Sequence, residues 1–149
     1  MTETQAFVEL SSRGAAGLAE KYVALWNEPD AGRRRQMIAT LWAEEGRHIL
    51  QPPQEIRGIA ARPGLAMTAI LEARGYEEIE ARAASATNHW VGSEGLSFRG
   101  RDDADRLGDV VKLHWEAVAK DATVAAVGLS VLILAGDGRI ERDYTFVVA

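Results

Sequence analysis

The sequence predicts an α+β domain, with helices in its first half and a strongly curved, mainly antiparallel sheet in its second. Three observations predict it. Apolar residues recur at three and four positions up to about residue 71, the period changes to strict alternation from Glu77, and Ala135-Gly136-Asp137-Gly138 separates two long apolar runs as a hairpin turn does.

Phe7, Leu10, Gly14, Leu18, Tyr22 and Leu25 fall on one helical stripe, which predicts a helix running to about Asn27 that Pro29 ends. Asp30 stands where an N-cap accepts backbone N–H bonds. It opens a second helix with Met37, Ile38, Leu41 and Trp42 on the buried face, stopped by Gly46. A short strand over 47–51 ends at Pro52-Pro53, where two donors are missing. Met67, Ile70 and Leu71 predict a third helix from about Pro63 to Gly75. Three long strands and a final hairpin follow. Ile79, Ala81, Ala83 and Ser85 alternate with charged residues; Val111, Leu113, Trp115 and Ala117 repeat the pattern. Residues 123–134 are apolar on both faces and predict a central strand, which the turn joins to a last strand over 139–148.

The 149 residues, 47% hydrophobic and 26% charged, fit one domain over 1–149 with its own core. With no cysteine, stability rests on packing, and a cytoplasmic location is expected. No apolar run approaches the roughly 20 residues that span a bilayer, so no membrane association is expected. The net charge of -5, with Arg33, Arg34 and Arg35 reading as a wet helix face, speaks against a nucleic-acid partner. The three histidines are far apart and lack His-x-His or His-Glu-x-x-His spacing, so no metal site is expected. Gly128-Leu129-Ser130-Val131-Leu132 lacks the second glycine of a hydrolase elbow, and Gly14-Ala15-Ala16-Gly17 lacks the phosphate-loop spacing. Asp102, Asp103 and Asp105 read as a solvated loop.

Tyr22-Val23-Ala24-Leu25-Trp26-Asn27 with Asp30, Leu41-Trp42-Ala43-Glu44-Glu45-Gly46, Val110 to Glu116 and Asp137-Gly138-Arg139-Ile140 together resemble the SnoaL-like polyketide cyclases. These belong to the nuclear transport factor 2-like superfamily, which includes ketosteroid isomerase. The resemblance implies a cone of three helices closed over a bent sheet, one pocket open at an end, and a homodimer formed through the sheet. Four tryptophans in a chain this small suggest a broad apolar lining suited to a small polycyclic or aromatic ligand, and the leading expectation is acid/base chemistry on a carbonyl compound without a cofactor.

The isomerase branch uses a tyrosine on the first helix, an aspartate before a proline on the first strand, and a protonated aspartate on a late strand, kept neutral by apolar surroundings. The resemblance carries these onto Tyr22, Gln51 and Ser130. Gln51 cannot exchange a proton, and Ser130 is a weaker donor than a carboxylic acid. The aspartate–arginine–aspartate relay of the limonene epoxide hydrolase branch has no counterpart. Strand parity sets His48 opposite Gln51 and therefore outside the pocket, and sets His114 opposite Trp115. His89 shares parity with Ser85 and Val91 beside Asn88 and Trp90. It is either a general base or fixed donor, or a histidine bonded to backbone or solvent. Tyr22 is either a core aromatic or a hydroxyl aimed at a ligand carbonyl. Trp26, Trp42, Trp90 and Trp115 are read as core or pocket wall, with Gln51, Asn88 and Ser130 as polar contacts. Three roles therefore stand side by side: a cofactor-independent cyclase or isomerase, a non-catalytic ligand-binding protein, and a dimerising scaffold.

Overall fold

A computed structural model describes residues 3–51 and 71–149, with side-chain surroundings from Gly14 onward. Helix α1 (Glu3–Asn27) and helix α2 (Ala31–Leu41) form a hairpin. Asp30 caps α2 as expected, its Oδ2 accepting the Arg33 N–H at 2.8 Å. Asp30→Ala should therefore lower stability by about 1 kcal/mol, read as an earlier urea midpoint at unchanged slope. On α1, Leu25 and Tyr22 are buried and Leu18 packs against the core, but Gly14 is exposed and Ala15 takes its inward place.

Strand β1 (Trp42–Leu50) begins directly where α2 ends, earlier than the expected 47–51. It pairs in parallel with β7 (Ile140–Val147), and the register slips between Trp42 and Arg47. Gly46 lies in that irregular stretch. A Cβ there would come within 2.6 Å of Trp42 Cδ1 and 2.9 Å of the Ile140 carbonyl, so only glycine lets the strand pass. After the slip, His48 is buried with Trp42 on the covered face.

The helix expected at 63–75 falls on residues outside the described ones as far as Ile70, and the remainder is strand β2 (Leu71–Arg74), antiparallel to β1. The strand expected around Ile79 is instead helix α3 (Gly75–Ala86), continued by a π-helical turn, Thr87–Ser93. Ile79, Ala83 and Thr87 are buried at intervals of four, whereas Ala81 and Ser85 are exposed, so the helical period governs this stretch. Glu77 and Glu78 in the first turn suit the positive end of the helix dipole.

Strands β3 (Ser97–Gly100), β4 (Asp105–Leu107), β5 (Val110–Val118) and β6 (Val124–Leu134) complete a seven-stranded mixed sheet ordered β2-β1-β7-β6-β5-β3, with β4 also on β5. Register slips in β1, β5 and β6 bend the sheet. Helix α1 packs over β3, β4 and β5, and α3 over β1 and β2. The buried core between helices and sheet includes Leu25, Ile38, Ile79, Val111, Leu113, Leu132 and Ile140. Arg34 departs from the wet face expected of it. It is 5% exposed, donates to the carbonyls of Glu28 and Pro29, and pairs with Glu80 at 3.3 Å, tying the α1–α2 turn to α3. Among the described residues no helix is long and apolar enough to cross a membrane.

Candidate active site

The sheet brings a chain of polar side chains into this apolar core. Ser130 on β6 and Thr145 on β7 are cross-strand partners, and Asp143 lies two residues before Thr145 on the same inward face. The Tyr22 hydroxyl, from α1, donates to Asp143 Oδ2 at 2.6 Å and lies 2.9 Å from Ser130 Oγ. Thr145 Oγ1 donates to Asp143 Oδ1 at 2.7 Å and is 2.8 Å from Ser130 Oγ. Trp115 Nε1 donates to Ser130 Oγ at 3.1 Å. With Tyr22 and Thr145 both donating to Asp143, the Ser130 proton serves Tyr22 or Thr145, so each hydroxyl is satisfied.

Asp143 is fully buried, and burial pushes its carboxyl up to about 7 against the lowering effect of the bonds from Tyr22 and Thr145. The Tyr22 phenol is raised well above its ordinary value by burial and by the neighbouring Asp143 charge. His48 Nε2 stands 3.5 Å from Asp143 Oδ2. Burial, with the nearby Arg82 charge, lowers this imidazole to about 3, so it is neutral at pH 7. Arg82 on α3 reaches the other ring nitrogen, Nδ1, at 3.0 Å and also donates to the carbonyls of His48 and Leu71.

Aromatic rings wall this network. Tyr22 packs against Trp26 and Trp42 with centroids 6.1 and 5.9 Å apart, and Trp26 lies 5.0 Å from the His48 ring. Trp42 is fully buried, and its Nε1 has no hydrogen-bond partner among the described residues. Trp26 and Trp115 are partly buried at the edge of the core. Trp115 depends on Gly128, its cross-strand neighbour, where an added Cβ would fall 2.0 Å from the indole. Gly128→Ala should displace Trp115 from Ser130 and cost about 1–3 kcal/mol, seen as a changed near-ultraviolet tryptophan signal and a lower urea midpoint.

Of the residues singled out in the sequence, Tyr22, Trp26, Trp42, Trp115 and Ser130 meet in this cluster. Gln51 sits at the end of β1, where its Oε1 accepts the Val147 N–H at 2.9 Å and its backbone N–H bonds Thr145 O, so it holds strands together. Asn88, His89 and Trp90 lie exposed on the π-helical turn, with His89 edge-on to Trp90 at 4.4 Å. The strand parity that aimed His89 inward does not apply, because its segment is helical. His48 reverses the expectation made for it. His48 and Gln51 do have opposite parity, but His48 takes the inner face. His114 stays outside, bonded through Nδ1 to Asp103 at 2.6 Å. Asp143 follows Ile140 at odd spacing, and its pairing opposite Leu132 on one side and His48 on the other marks it as inward. The acid missing at Ser130 thus stands one strand away. Among the described residues no group of three acidic or histidine side chains could hold a metal ion.

No protein-family model matches the sequence, and no curated protein matches it. Solved structures do match. A candidate isomerase of the SnoaL-like family from Agrobacterium tumefaciens superposes with a TM-score of 0.72 at 24% identity, over 92% of this chain and 99% of that one. A SnoaL-like protein of unknown function from Burkholderia thailandensis gives 0.61 at 18% identity, over 92% and 96%. A protein of ketosteroid isomerase-like fold from Catenulispora acidiphila, solved with trimethylamine, gives 0.56 at 18% identity, over 86% and 82%. At these identities the likenesses show the fold, and the chain has the SnoaL-like, ketosteroid isomerase-like fold of the nuclear transport factor 2-like proteins.

Proposed function

We propose that this protein binds an apolar polycyclic or aromatic carbonyl compound and moves a proton on it without a cofactor, as a cyclase or isomerase does, with Asp143 as the proton-exchanging group. The observation that carries this reading is a carboxyl poised near neutrality between a phenol and a neutral imidazole inside an aromatic wall. Ionised Asp143 takes the hydrogen on the carbon next to the carbonyl. Its carboxyl then has a proton of its own and no longer needs the one Tyr22 donates, so the phenol O–H turns to the enolate oxygen as that charge develops. Returning the proton to a different carbon isomerises the substrate, whereas attack by the enolate on a second carbonyl closes a ring and the alkoxide so formed takes the proton held by Asp143. Of the indoles around the network, Trp26 and Trp115 are the partly buried ones, and they are the walls a ligand would meet first.

The test is exchange of hydrogen for deuterium at that carbon, followed by NMR in heavy water with a panel of cyclic and aromatic ketones. Exchange is the step shared by isomerisation and cyclisation, so it needs no knowledge of the natural substrate. Catalysed exchange supports the reading, and ketone binding without exchange overturns it. The second outcome would favour a non-catalytic binding protein, a reading that one observation supports: the single Tyr22 proton is already committed to a fully buried Asp143.

The same reading includes a homodimer through the outer sheet face. There Leu129 lies between His114 and Phe146, and Val131 between Lys112 and Tyr144, with Phe146 43% exposed. Light scattering should give twice the 16.2 kDa chain mass, and Leu129→Arg should give one chain mass. A wild-type monomer would remove the dimer from the account.

A further inference from the structure

We propose that Arg82 is the positioning residue of this site, holding His48 as the tautomer whose Nε2–H points at Asp143. The inference rests on the proposed role of Asp143.

A guanidinium has only donors and keeps its charge in proteins. Arg82 Nη1 lies 3.0 Å from His48 Nδ1, so Nδ1 must present its lone pair. A neutral imidazole carries one N–H, which is then on Nε2, the atom 3.5 Å from Asp143 Oδ2. Helix α3 thereby dictates, through one ring, which side of His48 faces the acid. Nη1 is itself fixed by the carbonyls of His48 and Leu71 at 2.8 and 3.1 Å, so it is held to the backbone of β1 and β2 and shares its two protons among three acceptors. The ring is clamped against Trp26 and lies edge-on to Trp42 at 6.5 Å, which opposes a flip. Among the described residues, the charged groups around the pair are Asp143 on the inner side and Glu72 and Glu78 beside Arg82.

A positioned Nε2–H does two things that an unoriented histidine would not. It turns the positive end of the imidazole dipole toward the ionised carboxylate 3.5 Å away, and it denies Asp143 Oδ2 a competing acceptor that would draw its proton away. Aspartate, imidazole and guanidinium form one line from the core to the surface of α3.

The experiment is long-range 15N–1H NMR of the full chain labelled at histidine, with His48 assigned by its loss in His48→Gln. The expected wild-type result is a protonated Nε2 and an upfield-shifted, hydrogen-bonded Nδ1. In Arg82→Met the Nδ1 signal should move downfield toward a free lone pair, and the Asp143 midpoint should rise. Arg82→Lys, which keeps a charged donor, should restore part of both shifts. A wild-type ring protonated on Nδ1 overturns the proposal even if the variants fail to fold, as does an Nδ1 signal unmoved in a folded Arg82→Met protein. Ketone exchange measured on the same samples separates the two ideas. If Asp143→Asn leaves exchange intact while the tautomer is as expected, the proton-transfer role fails and the positioning stands. If both hold, Arg82→Met should slow exchange with the KM for the ketone unchanged.

Discussion

Replacing Asp143 by asparagine should slow ketone hydrogen exchange by about 10²- to 10⁴-fold while leaving the fold intact, the range expected when a positioned general base is removed. Asparagine has the size of aspartate, and its side-chain oxygen can still accept the Tyr22 proton, so the wall of Trp26, Trp42 and Trp115 should keep its shape. What asparagine cannot do is take up and return a proton near neutral pH. Wild-type exchange should accordingly rise with pH through about 7, as the Asp143 carboxyl ionises, and then level off. An exchange rate unaffected by Asp143→Asn would transfer the chemistry to another group.

The pH dependence of stability should change slope in opposite directions when Asp143 and His48 are replaced one at a time. The Asp143 carboxyl is raised from 3.8 to about 7, so the folded state holds this proton more tightly than the unfolded chain. Its contribution to stability is full below about pH 4 and falls as pH rises to about 7. His48 is lowered from 6.5 to about 3, so the unfolded chain holds that proton more tightly and stability rises over the same span. Between about pH 4 and 6.5 the two trends oppose each other, and the pair contributes little net slope. In Asp143→Asn only the histidine remains, and stability should climb by about 3 kcal/mol across that window. In His48→Gln it should fall by about the same amount. Urea midpoints measured at several pH values check both, and parallel curves for the two variants would refute the assignment.

The C-terminal sheet was legible because its signals are local. The alternation from Val111 to Ala117, the two-sided apolar run that became β6 and the turn at Gly136-Asp137 all coincide with the structure to within a residue or two. Helix α3 was misread because Ile79 and Ala83 satisfy a period of two as well as an interval of four, and Ala81 between them has no polarity to decide the matter. His89 was drawn into the pocket by that error alone. His48 was placed outside for a different reason: its face was inferred from Gln51, a position taken from the resemblance, and Gln51 proves to be a strand-end contact. Asp143 escaped notice because a buried acid in a strand with Glu141 and Arg142 looks like one more wet residue. Its burial depends on a parallel pairing to β1 that joins residues nearly a hundred positions apart. Tyr22 was readable from helical spacing and Trp115 from strand alternation. The acid they surround was not, because long-range register placed it there.

The most direct test of the account is the titration of Asp143 itself, followed by carbon-13 NMR of side-chain carboxyls and assigned by comparison with Asp143→Asn. A midpoint near 7 is expected, moving higher when Tyr22→Phe removes the 2.6 Å bond that favours the ionised form. A midpoint at or below 4 would mean that Asp143 is a permanently ionised structural acceptor, and the proton-transfer role assigned to this site would be contradicted.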